Sequence, residues 1–505
     1  MPKSNWGAGV DRRRLVKSGA LLATAQFASP FVIRARAADS VKIGLDNPLT
    51  GSYAANGKNE LVGCQMALDE INAKGGILGR PAQLIVEDSS TGDAGTAVQK
   101  ARKLIDSDKV DFLLGNVNSA LSLAMAQVSN EKGILQIVPG GHTDAITGAS
   151  CHWNVFRVCN TTQMEAAAVC AALIKEYGKK FYYITPDYAF GHTLESGMRK
   201  AAGALGGERA GGDLAPLGSV DFSSYLIKAQ AANPDVIIFL VQGDDMLNAM
   251  KQAVQFGLQN KVHLAGAQQE LEPLMGLSPE ARIGTWVLEW YWNQPGVPHV
   301  AEFVEATKKR TGHVPTARTW FGYVSVWTCA LAAAKANSLK AVDMAKALQD
   351  FHLPPEIALG PNPAFYRAGQ NQLLASLFVG NAQPSGSAPD DLFHVTEVVS
   401  GAAVASSVED SGCKMTCRPE RPQGRRGIMH RLTREDQQRL AVGIREEKLS
   451  NANPRAISRR RVVKSGLALA SAQIAGPFVI SARAAQSIKI GLDNPLTGPY
   501  AALGK

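Results

Sequence analysis

VKIGLDNPLTGSYAANGK, residues 41–58, is the stretch from which the fold is read. Its apolar opening, Val41 to Leu45, reads as a buried strand, and Pro48 and Gly51 punctuate the loop that follows. Beyond it Leu61, Cys64, Leu68 and Ile71 recur at i, i+3, i+7 and i+10, one face of a helix that Gly75 and Gly76 end. Strand, loop and helix in that order build a parallel sheet. The glycine-rich run GGILG at 75–79 follows a helix and precedes a strand, the reverse of a dinucleotide-binding context, so its glycines read as cap and turn positions.

Outward from there the alternation continues through strand 83–87, helix 94–107, strand 110–114, helix 119–132, strand 134–138 and strand 154–158. A second series takes strand 181–185, helix 193–205, helix 223–232, strand 235–241, helix 245–256 and strand 262–265. Helices over 300–310, 319–336 and 340–349 follow, then strands near 374–379 and 393–399. The fold class expected is α/β: two doubly wound parallel-sheet lobes with a hinge, the first from 38–158 and 286–360, the second from 159–285 and 361–400. From 401 to 457 the periodicity fades into charged, Arg- and Ser-rich sequence, expected to be a linker or poorly ordered tail.

The quoted stretch occurs twice. Residues 12–58 realign on 459–505 with 36 of 47 positions identical, so the chain ends in a second leader, strand and loop. A strand without sheet partners cannot bury itself, and the copy is expected to derive from two similar tandem genes read as one. The leader has Arg12-Arg13-Arg14-Leu15-Val16-Lys17, an apolar run from Gly19 to Ile33, and Ala35-Arg36-Ala37. That run is too short to span a membrane and ends in small residues, as a cleaved signal peptide does. The paired arginines resemble a twin-arginine export signal, and with no Cys at the cleavage point no lipid anchor is expected.

The formal charge of +9 is confined to the ends: residues 1–37 carry +6, 38–417 carry −8 and 418–505 carry +11. A mildly acidic body argues against a nucleic-acid surface. The seven cysteines are dispersed in a chain too large to need a disulfide framework, and most read as small core residues. Cys413 and Cys417 have no second ligand pair, so no metal or other cofactor is expected, and a bridge from Cys151 to Cys159 would have to span an extended run.

PLTGSYAANGK, ALDEINAKGGILGRP, VDFLLGNVNSA, PGGHTDA, DYAFG and PDVIIFLVQGDD together give the body from Val41 to Val399 a family likeness. It resembles the leucine/isoleucine/valine-binding class of periplasmic receptors for ABC transporters, which have the type I periplasmic-binding fold. The resemblance implies a monomer whose lobes close on a small-molecule ligand and hand it to permease subunits in the inner membrane. It also implies that Ser119 and the Gly140-Gly141-His142-Thr143 loop hold a ligand carboxylate, a role that the start of a helix after a strand suits. Ser119 read alone is equally a plain N-cap. Phe190 stands where relatives often have a tyrosine, and Gln268 where relatives that bind α-amino acids place a glutamate. The candidate ligand-binding set is completed by Tyr53, Asn118, Tyr188, Gln242, Asp244 and Asp245. Either Asp244 or Asp245 meets the ammonium of an amino acid, or the ligand is an aromatic or short aliphatic acid or amide without one. No Walker A loop, HExxH or nucleophile elbow supports an enzyme; a ligand sensor acting without transport would have a similar sequence.

Overall fold

The computed structural model describes residues 39–415; the leader, the sequence beyond residue 415 with Cys417, and the second copy lie outside the described residues. The strands are β1 (Val41–Asn47), β2 (Ala82–Asp88), β3 (Phe112–Leu114), β4 (Leu135–Val138), β5 (Val155–Arg157), β6 (Lys180–Pro186), β7 (Glu208–Ala215) and β8 (Val236–Phe239). They continue with β9 (His263–Ala265), β10 (Thr285–Leu288), β11 (Phe351–His352), β12 (Phe365–Arg367), β13 (Gln372–Leu374), β14 (Leu377–Ala382) and β15 (Phe393–Val399). They form an eight-stranded sheet, β11-β12-β13-β5-β4-β3-β1-β2, and a seven-stranded sheet, β15-β14-β10-β9-β8-β6-β7. Each is parallel through its middle and antiparallel at one edge. β1 lies next to the edge strand, between β2 (Val41 opposite Ala82) and β3 (Ile43 opposite Phe112).

Both faces of each sheet are covered, which is why the strands read as continuous apolar runs. In the first sheet Phe112 and Leu114 face one core and Leu113 the other; in the second, Ile237 and Phe239 oppose Val236 and Ile238. Helix Ala54–Ala73 packs on helix Ala317–Ala336 with backbones in near contact. A Cβ on Gly63 would lie 1.9 Å from the Thr319 carbonyl oxygen, and one on Gly322 would lie 1.9 Å from that of Glu60, so both positions require glycine.

Long-range pairing overrides the expected boundaries in several places. The run near 374–379 is two strands: β13 pairs with β5 in the first sheet and β14 with β10 in the second, so the chain changes lobes between Leu374 and Leu377. β12 and β13, expected in the second lobe, therefore belong to the first sheet, while β10 belongs to the second. Helix Thr162–Tyr177 was not expected because it is apolar on most faces, and β7 because its glycines resemble a turn. The helix expected over 94–107 ends at Arg102 and widens into a π turn over Lys103–Ser107.

The expected tail starts too early. After β15, Gly401–Val404 is helical, and Val404 and Ala405 pack on the core that contains Met164. Ser406 hydrogen-bonds Gln163, Val408 reaches Gly369, and Cys413 is disulfide-bonded to Cys151, with Cα atoms 5.6 Å apart. The segment thus runs from the second sheet to the first lobe as a fourth connection beside the three crossings of the chain. Cys64, Cys159, Cys170 and Cys329 are buried and free, as small core residues.

Candidate ligand-binding cleft

The parallel strands of both sheets end at one crevice, where an open α/β sheet places its ligands. From the first lobe come Tyr53 after β1, Val117 to Ser119 after β3 and Gly140 to Thr143 after β4. The second contributes Tyr188 and Phe190 after β6, Gln242 after β8, Gln268 after β9 and Glu289 after β10. Tyr53, Val117, His142, Tyr188, Phe190, Gln242, Gln268 and Arg318 line the crevice, and with the lobes closed the room between them is about 10 Å³, near that of one water molecule, so a solute enters only when the lobes part.

The lobes are closed on each other. The Tyr53 and Tyr188 hydroxyls are 2.6 Å apart, Thr193 Oγ1 donates to Thr143 Oγ1 at 3.2 Å, and the Asp244 N–H donates to the Ser52 carbonyl at 3.3 Å. Burial pushes the pKa of both tyrosines up, so they act as neutral hydroxyls. Phe190 sits in the first turn of helix Ala189–Ala204, which starts four residues before the expected Thr193, and meets the His142 ring edge-on at 5.9 Å.

Asn118, rather than Ser119, is the N-cap of helix Ser119–Lys132; its Oδ1 accepts from the N–H groups of Ala120 and Leu121. Ser119 Oγ accepts from the N–H groups of His142 and Thr143, both at 3.1 Å, which ties it to the loop expected beside it and leaves its O–H as the free donor. From behind, the buried Arg157 donates to the carbonyls of Gly141 (3.3 Å), His142 (2.9 Å) and Thr143 (2.5 Å) and so fixes the loop's path. A Cβ on Gly140 would lie 2.1 Å from Arg318 Nη1 and 2.4 Å from Glu60 Oε1, so a larger residue there would displace that ion pair. Asp244 is exposed, and Asp245, its carboxyl pushed up to about 6 by burial, accepts from the Gly218 N–H at 2.9 Å. Neither lines the cleft.

Sequence reasoning missed the site's buried charges. Arg318, on a helix of the first lobe, donates through Nη1 to Glu60 (3.0 Å) and through Nε to Glu270 (2.6 Å) of the second lobe, whose other oxygen bonds Asn56. Asn59 donates to Glu272 at 2.8 Å beside it, so these contacts latch the closed form. Burial disfavours the guanidinium charge, but the carboxylates of Glu270, Glu60 and Glu289 outweigh it and hold the pKa well above the ordinary arginine value. Burial also pushes Glu60 up to about 7 against the opposing pull of Arg318.

At the floor, His142 Nε2 bonds Glu289 Oε2 and lies 3.7 Å from Glu165 Oε1; Gln268 Nε2 donates to Glu289 Oε2 at 3.1 Å. Burial opposes ionisation of Glu289, yet His142, Arg318 and the Asn160 N–H prevail and lower its pKa. Glu165 is driven the other way, by burial and then by the Glu289 charge. A carboxylate thus stands beside the neutral Gln268 after all. Its signal was available: Glu289 interrupts the apolar run TWVLEWYW, as Arg318 does at the head of an otherwise apolar helix.

Residues 40–387 match the family model described as periplasmic binding protein. A Leu/Ile/Val-binding protein homolog of Brucella abortus (strain 2308) is 26% identical over 314 residues, 61% of this chain and 82% of that protein. A periplasmic binding protein of Burkholderia mallei superposes with a TM-score of 0.70 at 26% identity, covering 74% of this chain and 99% of that one. An amino acid ABC transporter substrate-binding protein of Pseudomonas fluorescens Pf-5 gives 0.67 at 27% identity, covering 75% and 100%. These proteins bind substrates and are not enzymes. Among the described residues no helix is long and apolar enough to cross a membrane.

Proposed function

This chain belongs to the periplasmic binding protein family, and from that membership we propose that it is the receptor of an ABC importer for a small carboxylate-bearing solute, a branched-chain or other hydrophobic amino acid. It acts as a monomer in the periplasm, closes its lobes on the solute and delivers it to permease subunits in the inner membrane. The observation that carries the reading is the cleft itself. Val117 and Phe190 supply apolar wall, and the paired Tyr53 and Tyr188 hydroxyls shut the mouth. The Ser119 O–H and the Arg157-braced loop from Gly140 to Thr143 offer the polar end for a carboxylate. The name of the Brucella abortus relative supports the same ligand class.

A thermal-shift panel on the full chain tests this. A ligand at 100 times its Kd adds about 2.7 kcal/mol to stability. Leucine, isoleucine, valine or phenylalanine is expected to raise the melting temperature. If only an amine-free acid such as benzoate does so, the receptor role stands and the amino-acid class falls, a reading that the neutral Gln268 favours; if none does, the carboxylate reading is refuted.

Export belongs to the same proposal, with the Arg12 to Lys17 pattern as its support. Periplasmic product should begin at Ala38, and Arg12→Lys with Arg13→Lys should strand the precursor inside. Normal export of that double variant would rule out the twin-arginine route.

A further inference from the structure

We propose that the floor of the cleft is a binding site for a divalent transition-metal ion of the zinc class, held by His142 Nε2 and one carboxylate oxygen each of Glu165 and Glu289, with Gln268 as fourth ligand. The site does not depend on which solute the receptor takes.

The first support is geometric. One ligand atom from each of His142, Glu165 and Glu289 lies within 4.8 Å of the other two. His142 Nε2 is hydrogen-bonded to Glu289 Oε2 and stands 3.7 Å from Glu165 Oε1. An ion about 2.0–2.2 Å from each nitrogen and oxygen reaches all three after small side-chain turns. Gln268 Nε2 is 3.0 Å from the same histidine nitrogen and 3.1 Å from Glu289 Oε2, so a half turn of the amide brings its oxygen to the ion. An imidazole with carboxylate and amide oxygens suits zinc or cobalt, whereas calcium and magnesium are bound by oxygen ligands.

The second support is a set of buried atoms without partners. Both carboxyl oxygens of Glu165, a residue 0% exposed, and Oε1 of Gln268, 1% exposed, make no hydrogen bond. Burial, and then the Glu289 charge, keep Glu165 toward its neutral form, and a protonated carboxyl there still has no acceptor for its O–H. Unpaired buried polar atoms are costly, and one cation supplies the partner that each of these lacks, displacing the Glu165 proton as it binds. The surroundings orient the ligands from behind. The Asn160 N–H donates to Glu289 Oε1 at 2.6 Å, which leaves Oε2 for His142, and the rings of Phe190 and Phe321 meet the imidazole edge-on at 5.9 and 6.1 Å. His142 comes from the first lobe, Glu165 from helix Thr162–Tyr177 and Glu289 from the end of β10, both on the second, so a bound ion clasps the lobes together.

Calorimetry of the full chain, stripped of metal with EDTA and titrated with zinc chloride, tests the site. A site with a Kd of about 1 μM or tighter is expected. Glu165→Gln and Glu289→Gln keep the shape of the floor and should each weaken it by at least about 10-fold. Cobalt chloride added to the wild type should give the visible absorption bands of a four-coordinate ion, and both variants should lose them. The exposed pair His192 and Asp187, 3.1 Å apart, controls for surface binding, and His192→Ala should change neither readout. Melting curves without metal identify a variant that fails to fold; Glu165→Asp or Glu289→Asp then takes its place and should keep part of the affinity. No site of that affinity in the wild type, or undiminished affinity in either folded Gln variant, overturns the metal site and leaves the receptor reading standing. The receptor reading fails separately, on the solute panel above.

Discussion

Replacing Cys151 and Cys413 together by serine removes the covalent end of the strap that follows β15. The bond closes a loop with a sequence separation of 262 residues. On the chain-entropy account a loop of that length restricts the unfolded chain by about 5.5 kcal/mol, and measured losses for native disulfides fall nearer 2–5 kcal/mol. Both cysteines are half-buried, so serine leaves no cavity to confuse the comparison. For a chain of this size a loss of 2–5 kcal/mol lowers the melting temperature by roughly 2–6 °C. Differential scanning calorimetry should show that drop, and the wild type treated with reductant should match the double variant. A chain ending at Ser400 should lose more, because Val404 and Ala405 go as well; one ending at residue 415 should not. Equal melting temperatures for wild type and double variant, with the Cys151–Cys413 bond verified by peptide mapping, would refute the strap as a stabilising element.

Glu270→Gln strips Arg318 of its second-lobe partner; breaking a buried pair costs about 3–5 kcal/mol, so small-angle scattering should show a more open molecule and solute affinity should fall. Ser119→Ala leaves the amides of His142 and Thr143 without an acceptor and should cost about 1–3 kcal/mol in stability, with weaker binding; unchanged values for both would place the carboxylate end elsewhere. Gly322→Ala drives a methyl into the Glu60 carbonyl and should yield little folded protein, visible as loss of soluble expression. Burial raises Asp46 from 3.8 to about 8 and Glu60 from 4.5 to about 7, so the native state holds these protons more tightly than the unfolded chain. Their stabilising contribution is full below the unfolded values and fades as pH rises from about 4 through 8. Asp46→Asn should flatten that decline in urea midpoints, and an unaltered pH profile would count against it.

Much of this protein was written locally. The apolar runs of β1, β4, β6 and β8 announce buried strands, and the segments after them carry Tyr53, His142, Phe190 and Gln242, all of which reach the cleft. Local periodicity suffices for such elements because burial on a sheet imposes it residue by residue. What it could not supply was anything decided by partners far apart in the chain. The change of sheet between Leu374 and Leu377 is set by pairing with β5 and β10, and those partners leave no mark on the run itself. The bond from Cys151 to Cys413 was invisible for the same reason, since its ends meet only once both lobes are built. So too with the charges: Glu60 and Glu270 read singly as ordinary surface residues, and only closure of two lobes turns them, with Arg318, into a buried latch. Spacing along the chain determined the layers of this molecule; the low-dielectric contact between lobes, which no local pattern encodes, decided which of its polar side chains face the solute.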